Sequence, residues 1–267
     1  MCRLFGGLSA KPTNFSDFLL TDRCNLLRQA DARKDKPQAD GWGIAELSKD
    51  LFVFRSRGWA TKERETFKAV ASGLKSRTVV GHLRRASNPL KLSQGKLLAE
   101  ENIQPFCHGG WAFGHNGQVN DPLSAKKALD DWACMVRGTN DSEVYFWHFL
   151  KAYNETRHVG EALTLTEERL AESCRKKEPF TSLNVVLARE NELYAWCRYL
   201  RQPKTVKKSL CMGKQGYYSM SYLAAPAKVA AMSEMSREGD WVIMEDGDLM
   251  SARLKGKKVE WKLENLQ

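Results

Sequence analysis

Met1-Cys2-Arg3-Leu4-Phe5-Gly6-Gly7-Leu8 opens the chain. Its apolar run reads as a short strand ended by Ser9-Ala10-Lys11-Pro12, and it puts a cysteine at position two. If Met1 is removed, Cys2 carries a thiol and a free α-amine on one residue. A model α-amine titrates at about 7.7–8.0 and a thiol at about 8.5, so the amine is a local base near neutrality. Such an N-terminal nucleophile needs neither a histidine nor a distant carboxylate. The position also fits a small buried residue in an edge strand. Gly6-Gly7 lets other backbone approach closely in either case.

Working outward, Phe15, Phe18, Leu19, Leu26 and Leu27 recur at helical spacing and predict a first helix. Asp40-Gly41-Trp42-Gly43 is a glycine-rich turn before strand-like Ile44–Leu47, with Leu51–Phe54 as its partner. Thr61–Lys75 reads as a helix capped by Thr61. The β-branched run Thr78–Leu83 predicts a buried strand, and Trp111–Val119 another, broken by glycines. Helices are expected from Asp141 and over Gly160–Lys176. Hairpins are expected at Leu183–Tyr199 and, on the Asp246-Gly247 turn, at Trp241–Leu254. Helices amid antiparallel strands give a layered α+β fold, and the absence of repeats or low-complexity linkers gives one domain, 1–267.

The 267 residues suffice for a large core, and 42% hydrophobic with 28% charged residues excludes wholesale disorder. No stretch is apolar enough to span a membrane, since Asn102–Asn120, the longest run without an acidic or basic residue, is full of Gly, Asn, Gln and His. The apolar part of the opening is too short for a secretory leader, so a cytoplasmic protein is expected. The charge of +10 is scattered over small clusters at Arg33-Lys34, Arg84-Arg85, Arg175–Lys177, Lys204–Lys208 and Lys255–Lys258. No nucleic-acid motif accompanies them, so solvated surface is the reading and no nucleic-acid partner is expected. Seven cysteines without a C-x-x-C pair predict neither a zinc site nor a disulfide frame. The five histidines lack metal-ligand spacing, and no phosphate or dinucleotide loop is present, so no metal or cofactor is expected.

Three further segments offer chemistry. Arg84, after the buried strand, can clamp a carboxylate bidentately, or form a structural ion pair. In Gly114-His115-Asn116-Gly117, the Asn116 amide and the Gly117 N–H would make a two-donor oxyanion hole. The same Asn-Gly pair is also a preferred hairpin turn. In Asn140-Asp141-Ser142-Glu143, either Asn140 or Asp141 can be a helix N-cap, and Asp141 can instead bind an ammonium.

In their order, Met1-Cys2-Arg3, Asp40–Ile44, Glu101–Phe106, His115–Gln118 and Asp141–Glu143 resemble the class II glutamine amidotransferase family, and its small stand-alone branch above all. The resemblance spans most of the chain. It implies the four-layer αββα sandwich of N-terminal-nucleophile hydrolases, with two stacked antiparallel sheets. It also implies roles: Cys2 as nucleophile, its freed amine as base, Asn116 and Gly117 as oxyanion hole. Arg84, in the family's His-x-Arg motif, would hold the α-carboxylate of glutamine, and Asp141 its α-amino group. Attack would give a γ-glutamyl thioester and ammonia, then glutamate.

Two departures stand out. Gln104 replaces a histidine found in many relatives, and Arg85 stands where some larger relatives are aromatic, which suits an additional anionic group. Trp42, Arg85 and the loop Leu90–Glu101 are the expected walls of a leaving-group pocket. No synthase segment is recognised in the sequence, so ammonia would pass to a separate synthase or partner subunit. The alternatives are hydrolysis of a larger γ-glutamyl compound and a catalytically silent binding or regulatory subunit.

Overall fold

The computed structural model describes residues 2–32, 37–48, 51–88, 90–202, 211 and 213–267. The basic clusters at Arg33-Lys34 and Lys204–Lys208 lie outside them, as does Met1. The strands are β1 (Arg3–Thr13), β2 (Trp42–Leu47), β3 (Leu51–Ser56), β4 (Ser76–Leu83), β5 (Phe106–His108), β6 (Trp111–Val119) and β7 (Phe180–Arg189). They continue with β8 (Glu192–Trp196), β9 (Ser221–Ala225), β10 (Lys228–Met232), β11 (Val242–Ile243), β12 (Asp248–Lys255) and β13 (Lys258–Asn265). The α-helices are α1 (Leu26–Gln29), α2 (Arg64–Gly73), α3 (Gln94–Leu97), α4 (Pro122–Lys127), α5 (Asp141–Thr156) and α6 (Val159–Ser173).

The strands form two antiparallel sheets, one in the order β11-β9-β10-β1-β4-β2-β3 and one in the order β13-β12-β8-β7-β6-β5. Side-chain alternation stacks them. Leu4 and Leu8 of β1 pack with Val186, Leu193 and Met250 between the sheets, while Phe5 packs on the other side with Phe18, Leu26 and Phe67. The second sheet turns Phe113, Leu183 and Leu187 toward Tyr145, Phe149 and Leu163 of α5 and α6. The result is the expected four-layer α+β sandwich. At Gly6 the two sheets approach so closely that a Cβ would lie 2.5 Å from Val186 Cγ1.

Several local expectations change. β1 does not end at Leu8. It runs on to Thr13, paired with Lys228 at Ser9 and with Ser76 at Thr13, and Pro12 falls in a register irregularity where no ladder donor is needed. The single helix over Phe15–Leu27 is a π-helical turn at Asp17–Thr21 followed by the short α1. Thr61 caps nothing: its hydroxyl donates to Asp31, and Glu63 precedes α2.

The Asp246-Gly247 hairpin does not form, because β11 pairs with β9 in one sheet and β12 with β8 and β13 in the other. Asp246 takes the Arg198 guanidinium and the Tyr199 N–H, which fixes this connection as a crossing between sheets. The hairpin is one strand later, between β12 and β13, with Gly256 at φ +61°. Among the cysteines, Cys24 and Cys211 are paired as a disulfide with Cα atoms 6.0 Å apart, against the expectation of none. Their separation of 187 residues hides that pairing from any reading of spacing.

Candidate active site

Cys2 lies at the start of β1, nearly buried. Its thiol donates to the Arg85 carbonyl at 3.6 Å and accepts the Arg85 N–H at 3.4 Å. Arg3, wholly buried, donates to the Cys2 carbonyl at 3.2 Å. Burial lowers the Arg3 pKa, and the negative charge of Glu234 opposes that shift. Burial pushes Cys107 up to about 11 and Cys197 up to about 12, so neither is a thiolate at neutral pH.

Arg84 follows β4 and reaches the same cavity. Its guanidinium donates to the Asp40 carbonyl at 3.3 Å and to the Leu97 carbonyl at 3.0 Å, leaving the rest of its fork for a carboxylate. Asp40 returns the contact, since its carboxylate accepts the Ala86 N–H at 2.8 Å and its own N–H donates to the Arg84 carbonyl at 3.1 Å. Burial lowers the Arg84 pKa, against the opposing pull of Cys2, Asp40 and Asp141.

The structure shows which of Asn140 and Asp141 caps α5. Asn140 is the cap of α5, accepting the Ser142 N–H at 2.9 Å and donating to the Asn102 carbonyl at 2.7 Å. Asp141 is free of that duty. Its carboxylate accepts the Val119 N–H at 2.7 Å and lines the cavity. Burial pushes its pKa up to about 6, opposed by the Val119 N–H and by Arg84.

Asn116-Gly117 is not a hairpin turn either. Both residues lie inside β6, opposite Asn184 and Leu183. A Cβ on Gly117 would stand 1.8 Å from the Ser182 carbonyl oxygen, so only glycine fits that approach. A Cβ on Gly114 would lie 3.1 Å from Leu4 Cδ2 and 3.5 Å from Val80 Cγ1, so Gly114 faces the inter-sheet space. Asn116, two residues on, faces it too by strand alternation, and it is not among the residues that line the cavity holding Cys2. The amide nitrogen and oxygen of Asn116 are buried without a hydrogen-bond partner among the described residues. A buried amide left unpaired in the folded protein is suited to a charge that develops only during reaction.

Cys2, Arg84, Gly117 and Asp141 thus line one cavity, with Arg85, Gln104, Leu90, Leu92 and Leu97 among its other walls. Of the expected leaving-group residues, Trp42 does not reach it. The Trp42 ring is buried between Phe54 and Phe67 and its Nε1 donates to Glu63 at 2.7 Å, a core role. Arg3, Ser142 and Asn102 fall inside the sequence motifs, but no local pattern assigns them a part in the site. The Asn102 amide ties the 96–97 carbonyls to Thr139, holding one wall of the cavity to the start of α5.

A family model for class II glutamine amidotransferases matches residues 1–265, and the chain belongs to that family. The amidophosphoribosyltransferase of Lacticaseibacillus casei is 29% identical over 160 residues, 58% of this chain and 73% of that protein. A glutamine aminotransferase class-II domain protein from Silicibacter pomeroyi superposes with a TM-score of 0.65 at 19% identity, each chain covered in full. The glutamine phosphoribosylpyrophosphate amidotransferase of B. subtilis, solved with ADP and GMP, gives 0.60 at 14% identity. All of this chain but 49% of that one is covered, so this chain spans about half that enzyme's length. At these identities the solved structures share the fold.

Proposed function

We propose that the chain hydrolyses the γ-amide of glutamine, with Cys2 as its nucleophile once Met1 has been removed. What supports this reading above all is the convergence of Cys2, Arg84, Gly117 and Asp141 on one cavity, with the buried, unpaired Asn116 amide on the residue that precedes Gly117. A zwitterionic substrate head needs one cationic and one anionic anchor, and Arg84 and Asp141 provide them. The side-chain amide then extends toward the thiol.

The α-amine takes the thiol proton as sulfur attacks the γ-carbonyl carbon. The carbonyl oxygen becomes an oxyanion that accepts from Asn116 Nδ2 and the Gly117 N–H. The C–N bond breaks, the ammonium of Cys2 protonates the leaving group, and ammonia departs from a γ-glutamyl thioester. The same amine then takes a proton from water as the water oxygen attacks the thioester carbonyl; the C–S bond breaks, the ammonium returns the proton to the departing sulfur, and glutamate leaves a regenerated Cys2 thiol. Ammonia would pass to a separate synthase or partner subunit.

A second reading, hydrolysis of a larger γ-glutamyl compound, is favoured by Arg85. Arg85 lines the cavity, and no ion pair or side-chain hydrogen bond holds its guanidinium among the described residues, which leaves that charge for an anionic leaving group.

Incubation with glutamine tests the proposal. Equal release of ammonia and glutamate is expected, with Cys2→Ser reducing it at least about 10³-fold because an alcohol is a poorer nucleophile under the same weak base. Wild-type rates surviving in Cys2→Ser would remove Cys2 from the mechanism.

A further inference from the structure

His115 precedes the two proposed oxyanion donors but points the other way, toward α5, with its ring against Tyr145. That ring joins two serines. Nδ1 lies 2.8 Å from Ser142 Oγ and Nε2 lies 3.1 Å from the Ser182 carbonyl oxygen. A carbonyl only accepts, so Nε2 carries the hydrogen and Nδ1 accepts the Ser142 O–H. The backbone N–H of His115 donates to Gln104 Oε1 at 2.5 Å, and Ser182 Oγ donates to the Asn116 carbonyl at 2.7 Å. Burial pushes the imidazole pKa down to about 4, so the ring is neutral in neutral solution.

We propose that His115 is a positioning residue, which with Ser142 and Ser182 locks the Asn116–Gly117 donors at a fixed distance from the Asp141 end of α5. This inference rests on the reading of Asn116 and Gly117 as the oxyanion hole of Cys2.

Ser142 follows Asp141 on the first turn of α5, so one contact of the ring holds the helix end that carries the ammonium anchor. Its other contact holds Ser182, whose carbonyl lies against Gly117 and whose hydroxyl lies against Asn116. The strand ladder alone is a poor fixture here, because the β6–β7 register shifts between Gly117 and Val119. The His115 ring bridges that irregularity. Donors displaced by about half an ångström from a developing oxyanion lose much of their effect, while ground-state anchors tolerate the same shift. The consequence is a defect in kcat with KM preserved.

The test uses γ-glutamyl-p-nitroanilide, whose released nitroaniline reports acylation of the thiol, and, on a separate sample of the same wild-type preparation, labelling of Cys2 by a glutamine-mimicking affinity reagent. Ser142→Ala is expected to lower kcat about tenfold with KM within about twofold, and Ser142→Thr, which keeps the hydroxyl, to restore it. His115→Gln should lower kcat about 100-fold, and adding Ser142→Ala to it should lower kcat no further, because the serine acts through the ring. Nitrogen NMR should report the Nε2–H tautomer in the wild type. A KM rising in step with kcat, losses that multiply in the double variant, or an Nδ1–H tautomer would each overturn the inference. Unlabelled wild type that turns over the anilide, from a preparation whose Cys2 takes the label in a separate sample, together with unchanged Ser142→Ala kinetics would overturn this inference alone. Wild type that takes no label at Cys2 would overturn the reading beneath it as well.

Discussion

Replacing Asp141 with asparagine removes a carboxylate that the fold holds at a cost. Burial raises its pKa from 3.8 to about 6, so the folded protein prefers the protonated form more than the unfolded chain does. A group raised in this way contributes its full stability below the unfolded pKa and loses it as pH rises through the folded one. The penalty for keeping Asp141 ionised is therefore about 3 kcal/mol at pH 7.5 and about 1.6 kcal/mol at pH 5, from the two pKa values and 1.36 kcal/mol per unit. Asparagine keeps an oxygen for the Val119 N–H and carries no charge. Urea unfolding should find Asp141→Asn more stable than wild type, by up to about 3 kcal/mol at pH 7.5 and by roughly half of that at pH 5.

The same change should raise KM for glutamine about 10²-fold, because the substrate ammonium would lose its partner. In the wild type, KM should climb as pH falls below about 6 and Asp141 takes up its proton, a dependence the variant should lack. A variant no more stable than wild type at pH 7.5, or a stability gap that does not change with pH, would refute the account of Asp141 as a buried charge kept for binding.

Arg84→Ala should raise KM about 10- to 100-fold with kcat little changed, through loss of the carboxylate clamp; an unchanged KM would end that assignment. Asn116→Ala should do the reverse, lowering kcat about 10²- to 10³-fold with KM preserved, which steady-state kinetics on the same preparations would separate. Gly117→Ala places a methyl 1.8 Å from the Ser182 carbonyl oxygen, so it should lose about 3 kcal/mol of stability and nearly all turnover. A melting temperature equal to that of wild type would show that β6 and β7 can part there.

Much of the candidate site's convergence was legible because its residues carry chemistry in short motifs. Cys2, Arg84 and Gly117 come to one cavity with Asp141, although they are dispersed over 140 residues of chain. What stayed ambiguous locally was settled by long-range pairing. Asn-Gly is equally at home in a turn, and only β7 across from it fixes Asn116 and Gly117 inside a strand. Asn140 and Asp141 both suit a cap, and only the Asn102 carbonyl and the Val119 N–H, from other segments, divide their roles.

Local signals misled where tertiary contacts outweighed them. Pro12 did not stop β1, because β4 and β10 hold that strand on both sides. Asp246-Gly247 did not close a hairpin, because Arg198 claims the aspartate. Trp42 resembled a pocket wall by its place in a glycine-rich motif, but the alternation of β2 turns it into the core beside Phe67.

The most direct measurement is the intact mass of the protein before and after exposure to a glutamine-mimicking reagent that alkylates nucleophilic cysteines. The account predicts a chain lacking Met1 that gains one adduct, mapped by fragmentation to Cys2 and absent in Cys2→Ser. A processed chain that gains no adduct, or one whose adduct maps to another cysteine, would contradict it.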